Sequence, residues 1–253
     1  MTVEEYMKIV EEAAPPEMSY ITDNIGLMLG DPSQEVTGVL LCVDLTGEVL
    51  KEAEDKGVNL IITHHPVIYN PLKNLGPDQV TNRRIVQAIR QNVTVLSYHT
   101  NLDSAPAPVG VNYNLAAALG LQNITPVDEG YHYYGDLPAK VTASDFAQSI
   151  GSALDTDVKA LYNKGPEAFV SRVGVSCGAY DGETDWISEC GCDTLVTGEA
   201  KHSEIVDLSF RDLTVYLAGH YATEFPGIRG LAGILPGKVY VSRALAGDGA
   251  LSR

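Results

Sequence analysis

Short apolar runs alternate with helical stripes along most of the chain. TGVLLCV (37–43) reads as a buried strand, GEVLKEAEDKG (47–57) as a helix and NLIIT (59–63) as a second buried strand. Thr46 stands where a helix cap belongs, and Gly57 where a left-handed stop belongs. Two apolar strands joined by a helix of this length predict a right-handed βαβ unit with parallel strands. A helix around 79–91 then leads into strand VTVLSYH (93–99), and helix 111–119 ends at Gly120. At the N-terminus, Thr2 and Glu5 are spaced as a capping box, and Val3, Tyr6, Met7 and Val10 form one stripe.

The second half repeats the plan. SRVGVSC (171–177), DTLVT (193–197) and LTVYLAG (213–219) read as strands, with helices at 185–191 and 202–210. An offset of 134 pairs Val39 with Val173, Gly57 with Gly191 and Thr63 with Thr197. After a shorter loop, an offset of 121 pairs His99 with His220 and Asp103 with Glu224. The ungapped match across a whole unit points to internal duplication. The expected fold is therefore α/β: two related lobes with mostly parallel sheets, divided at 1–124 and 125–253, with a metal site between the lobes. The lobes are expected to pack intimately, and the chain ends to swap between them. Residues 125–170 read as a turn-rich crossing, with His132 in a loop and Ser144 capping a short helix at 145–153.

Composition narrows the function classes. The net charge of −16 disfavours general binding to phosphate backbones, and no basic patch offsets it. No apolar run reaches the roughly 20 residues that a membrane helix needs. The acidic N-terminus does not read as a secretory signal, so a cytoplasmic protein is expected. Cys42, Cys177, Cys190 and Cys192 lack zinc-finger spacing, and Cys42 and Cys177 read as buried thiols.

The candidate chemistry lies in THHP (63–66), HTNLD (99–103) and GHYATE (219–224), each following a predicted buried strand. Ligands bind at the carboxyl ends of parallel strands, where the loops converge. Four of the six histidines, His64, His65, His99 and His220, emerge there with Asp103 and Glu224. Imidazole and carboxylate suit Zn, Fe, Mn, Co or Ni. A carboxylate can bridge two ions, and adjacent histidines can serve different ions if the chain turns after the strand. His202 follows the strand that matches the one before THHP, and it is a weak catalytic candidate. Gly174-Val175-Ser176-Cys177-Gly178 fits the nucleophile-elbow pattern, but no helix follows directly.

The chain resembles the Nif-three-like dinuclear-metal family, whose members are also called type-two GTP cyclohydrolase homologues. The resemblance rests on DNIGLMLGD (23–31), VLLCVDLT to IITHHPVIY (39–69), YHTNLDSAPAPVGVNYNLA (98–116), VTGEAKHSE (196–204) and GHYATEFPGIRGLA (219–232). It implies His64, His65, Asp103, His220 and Glu224 as metal ligands. His64 and His220 would hold one ion, His65 and Asp103 the other, and Glu224 would bridge. His99 would stand beside the ions as a supporting or catalytic residue, whereas the repeat pairs it with a ligand. The resemblance also implies two divalent ions per subunit, a toroidal homohexamer, and a metal-dependent hydrolase acting on a cyclic amide or nucleotide. Non-catalytic metal storage or delivery, or a metal-stabilised partner-binding assembly, is the alternative. Two features depart from the family: Ile21-Thr22 stand where an aromatic commonly precedes Asp23, and the tail VSRALAGDGALSR lacks an aromatic ending.

Overall fold

A computed structural model describes residues 1–244. The chain begins with α1 (Val3–Ala13), β1 (Gly26–Leu29), β2 (Val39–Cys42), α2 (Gly47–Lys56) and β3 (Leu60–Thr63). α3 (Val80–Arg90), β4 (Thr94–Ser97), α4 (Thr100–Ser104) and α5 (Val111–Ala118) follow. Next come β5 (Gln122–Val127), β6 (His132–Thr142), α6 (Ala143–Leu154), β7 (Lys159–Tyr162) and β8 (Phe169–Ala179). The chain continues through α7 (Asp185–Glu189), β9 (Thr194–Glu199), α8 (His202–Ser209), β10 (Thr214–Leu217), α9 (His220–Ala232) and β11 (Val239–Val241).

Two compact units form, Met1–Gly110 with Ile228–Ala244, and Val111–Gly227. Two features set which segments belong to which unit. Leu115 and Ala116 of α5 pack into the core under β6 and β8, and β11 returns to pair with β2. The tail beyond 244, where one family departure falls, lies outside the described residues.

The first unit carries a sheet of order β1-β4-β3-β2-β11. Its strands are parallel except at the β1 edge. β2, β3 and β4 are buried along their whole length, as continuous apolar runs require. The Thr46 hydroxyl accepts from the Val49 amide at the start of α2, and Gly57 ends that helix at φ 63°. Val49, Leu50 and Ala53 of α2 then pack with Ile85 and Ala88 of α3 beneath the sheet.

The second unit carries a mixed sheet of order β5-β6-β8-β9-β10-β7. Only β8-β9 and β9-β10 are parallel. One face is covered by α5 and α6 through Leu115, Phe146 and Ile150. The other is covered by α7 and α8 through Trp186, Ile187 and Leu208. The turn-rich crossing is instead strand and helix: β5, β6, α6 and β7 occupy it. Antiparallel pairing with β8 organises the aromatic run His132-Tyr133-Tyr134 as strand. Thr142, not Ser144, caps α6. His132 is buried, stacked 4.6 Å from Trp186, with Nε2 3.3 Å from Asp181 Oδ2. Cys42 is buried, and Cys177 only partly so.

The strand registers test the repeat directly. Val39 pairs with Leu60 and Val173 with Thr194, which preserves the offset of 134 through both βαβ units. Leu60 pairs with Thr94, and Thr194 with Thr214, so the next strand follows an offset of 120 rather than 121. His220 therefore matches Thr100, the first residue of its own helix, and Gly219 matches His99. Similar side chains can be aligned one residue out of step, whereas ladder hydrogen bonds cannot.

Candidate metal centre

In the first unit, the donors leave β3 and β4. The amides of His64 and His65 still bond the carbonyls of Cys42 and Val43, at 3.0 and 2.9 Å. The chain turns there, with the Thr63 hydroxyl donating to the His65 carbonyl at 2.8 Å. The turn brings the two rings to 5.1 Å at 41°, so adjacent histidines no longer point oppositely. The His99 ring lies 5.2 Å from His64 and 5.5 Å from His65. One ligand atom from each of the three lies within 4.8 Å of the others. Tyr69 stands edge-on to His99 at 6.5 Å.

The remote nitrogens are all engaged. His64 Nδ1 donates to the Tyr98 carbonyl at 3.0 Å, because a carbonyl can only accept. His65 Nδ1 is 3.0 Å from Asp44 Oδ1. His99 Nδ1 is 3.0 and 2.9 Å from the two Asp23 oxygens. With Nδ1 carrying the proton, a neutral His64 presents its Nε2 lone pair, which faces Asp103 Oδ1 at 3.4 Å. Two electron-rich atoms facing one another where His64 is fully buried is an arrangement that a cation stabilises.

In the second unit, His220 and Glu224 share one face of the first turn of α9. His220 Nε2 lies 2.9 Å from Glu224 Oε1, and His220 Nδ1 lies 2.9 Å from Glu199 Oε1. Glu224 is buried while Glu199 is largely exposed. Thr223 ties the turn down: its hydroxyl donates within the turn, toward the Gly219 or His220 carbonyl, and accepts from the Gly178 amide at 3.0 Å. Two glycines make room. A Cβ on Gly178 would stand 2.6 Å from Glu224 Oε1, and one on Gly198 would stand 2.8 Å from the His220 Cα.

Each of the four imidazoles thus has Nδ1 held by an acceptor. That is how proteins orient metal-binding histidines. His202 lies exposed at the start of α8 and belongs to neither donor set. Ser176 is buried within β8, three residues before that strand ends in a loop to α7, so it forms no nucleophile elbow. The supporting acceptors Asp23, Asp44 and Glu199 escaped the sequence reading. Only Glu199 carried a signal, since it occupies the repeat position of His65.

Asp23 is the most enclosed of these acceptors, its side chain 3% exposed. Burial by itself raises its carboxyl pKa. Hydrogen bonds from His99 and Thr100 outweigh burial and hold it far below the usual carboxylate range. A depressed folded-state value contributes stability above the unfolded value of about 3.9, and that stability is lost as pH falls below it. Asp23→Asn should therefore flatten the acid limb of the stability curve below roughly pH 4. Denaturant midpoints across that range check this, and an unchanged limb would sink it.

The family profile described as Duf34/NIF3 (NGG1p interacting factor 3) matches residues 1–243. A Clostridium perfringens protein named GTP cyclohydrolase 1 type 2 homolog is 29% identical over 234 residues, covering 89% of this chain and 88% of its own. A Streptomyces coelicolor protein of the same name is 30% identical, covering 84% and 78%. Among solved structures, a Staphylococcus aureus hypothetical protein superimposes with a TM-score of 0.89 at 26% identity, covering 96% of both chains. A Bacillus cereus protein described as related to NIF3 gives 0.86 at 21% identity, covering 96% of this chain and 97% of its own; this likeness concerns fold.

Proposed function

We propose, from the premise that this chain belongs to the Duf34/NIF3 (NGG1p interacting factor 3) family, that it binds two divalent metal ions and works as a metal-dependent hydrolase. The proposed ligands are His64, His65, Asp103, His220 and Glu224, with Glu224 bridging. The observation that carries the reading is the uniform anchoring of Nδ1. His64 bonds a carbonyl, and His65, His99 and His220 bond carboxylates. An imidazole held this way offers Nε2, and its basicity rises against the acceptor behind it.

When bound, two divalent ions would act as Lewis acids on a carbonyl or phosphoryl oxygen and bring the pKa of water toward neutrality. The residues supply the rest. Asp44 and Glu199 hold the rings of His65 and His220 in place. Glu224, buried against Gly178, offers its carboxylate without a water shell to strip. His99, with its side chain about one-fifth exposed, is the group left to move protons. The relatives' printed name directs the substrate search toward cyclic amides and nucleotides.

Protein loaded with Zn, Mn, Fe, Co or Ni should turn over at least one of a panel of phosphoesters, nucleotides and cyclic amides. Tight, reversible binding of two ions without turnover of any panel member would favour storage, delivery or a metal-stabilised assembly instead.

A further inference from the structure

Asp23 stands apart from the other acceptors behind the histidine rings. The carboxylates of Asp44 and Glu199 are 35% and 62% exposed, against 3% for Asp23. Burial of a charge is costly unless it is fully hydrogen-bonded, and here it is. Asp23 Oδ2 receives the Thr100 amide at 3.1 Å and the Thr100 hydroxyl at 2.7 Å. Asp23 Oδ1 receives the Asn24 amide at 2.9 Å. Thr100 Oγ1 also accepts the Tyr20 amide at 3.0 Å, and its own proton goes to Asp23, because an ionised carboxylate can only accept. The backbone of His99 is held as well, its amide donating to Asn101 Oδ1 at 3.1 Å.

An ionised carboxylate can only accept. His99 must then carry its proton on Nδ1, and the lone pair falls on Nε2. We infer that Asp23 is a positioning residue that locks His99 in the Nδ1–H tautomer, so that His99 serves as the proton carrier of the reaction. The chemistry rests on the hydrolase reading above; the tautomer does not. Nε2 takes one proton from the attacking water while its oxygen bonds to the substrate's carbonyl carbon. Asp23 stabilises the imidazolium formed. As the carbon–nitrogen bond breaks, Nε2 returns that proton to the departing nitrogen. One water is consumed, and His99 ends as it began.

Nitrogen-15 spectra of the full chain, metal-free and zinc-loaded, read the tautomer directly. The wild type should show His99 protonated at Nδ1 in both. Asp23→Asn places an amide donor or a weaker acceptor against the ring, so the Nε2–H tautomer should appear while zinc content by elemental analysis is unchanged. On any substrate the wild type hydrolyses, kcat should fall about 10²–10⁴-fold with KM little altered. Asp23→Glu should restore part of the Nδ1–H signal. A wild-type His99 protonated at Nε2 overturns the inference without any variant. So does loss of zinc with Asp23→Asn, which would make His99 a ligand. A wild type that hydrolyses nothing yet swaps tautomer in Asp23→Asn sinks the hydrolase reading and upholds the positioning role.

Discussion

Replacing Glu224 with Gln is expected to abolish paired-metal binding while leaving the metal-free fold at least as stable as the wild type. The side chain is buried beside His220 Nε2 at 2.9 Å and beneath the Gly178 backbone. Gln has nearly the same shape, so packing survives. Removing a buried negative charge also relieves its desolvation. What disappears is a carboxylate able to bridge two cations. The expected loss of metal affinity and of hydrolysis exceeds the roughly 10–100-fold that supporting residues typically show. Two measurements check this: metal stoichiometry by elemental analysis, and the rise in melting temperature on adding metal. Only the wild type should rise, because a ligand stabilises the state that binds it. Retention of both ions by the variant would remove Glu224 from the bridging role.

The second large effect is expected at Gly178, where substitution by Ala should cost about 2–4 kcal/mol and also weaken metal binding. Two causes combine there. The residue sits at φ +61°, a conformation that disfavours a side chain. Its new Cβ would also stand 2.6 Å from Glu224 Oε1 and 3.2 Å from His220 Nε2. Gly57 separates these causes. It has nearly the same φ, +63°, but nothing lies within 4 Å of a Cβ built on it. Gly57→Ala should therefore cost only about 1 kcal/mol, with metal binding untouched. Equal destabilisation of the two variants, with full metal content in both, would show that Gly178 is required by the backbone alone and not by the donors.

Much of the fold was legible because its signals are local. Continuous apolar runs at 39–43, 60–63 and 94–97 mark buried strands, and Thr46 with Gly57 brackets α2. The region 125–170 was not legible. Tyr, Gly and Pro in His132–Thr142 resemble turn chemistry, and only pairing with β5 and β8 turns them into a long strand. The same dependence on partners hid the second sheet's antiparallel edges. It also hid the one-residue shift that separates His99 from His220, since register is a property of two strands and not of either one.

The sequence by itself singled out the candidate donors. Histidine is scarce in this chain, six residues in 253, so four of them at strand ends with Asp103 and Glu224 stand out without a structure. The supporting acceptors could not stand out in that way. Asp23, Asp44 and Glu199 are three among 33 acidic residues, and Tyr98 acts through a carbonyl that every residue possesses. Asp23 lies 76 residues from His99, and Asp44 lies 21 from His65. Which nitrogen of each ring is held, and so which tautomer it adopts, depends on distances that only the folded chain brings to hydrogen-bond range. Tertiary structure also decided that Gly178 and Gly198 must lack a side chain, because the atoms they would strike are distant in sequence: α9 side chains for Gly178, and the Gly178 carbonyl and α9 for Gly198.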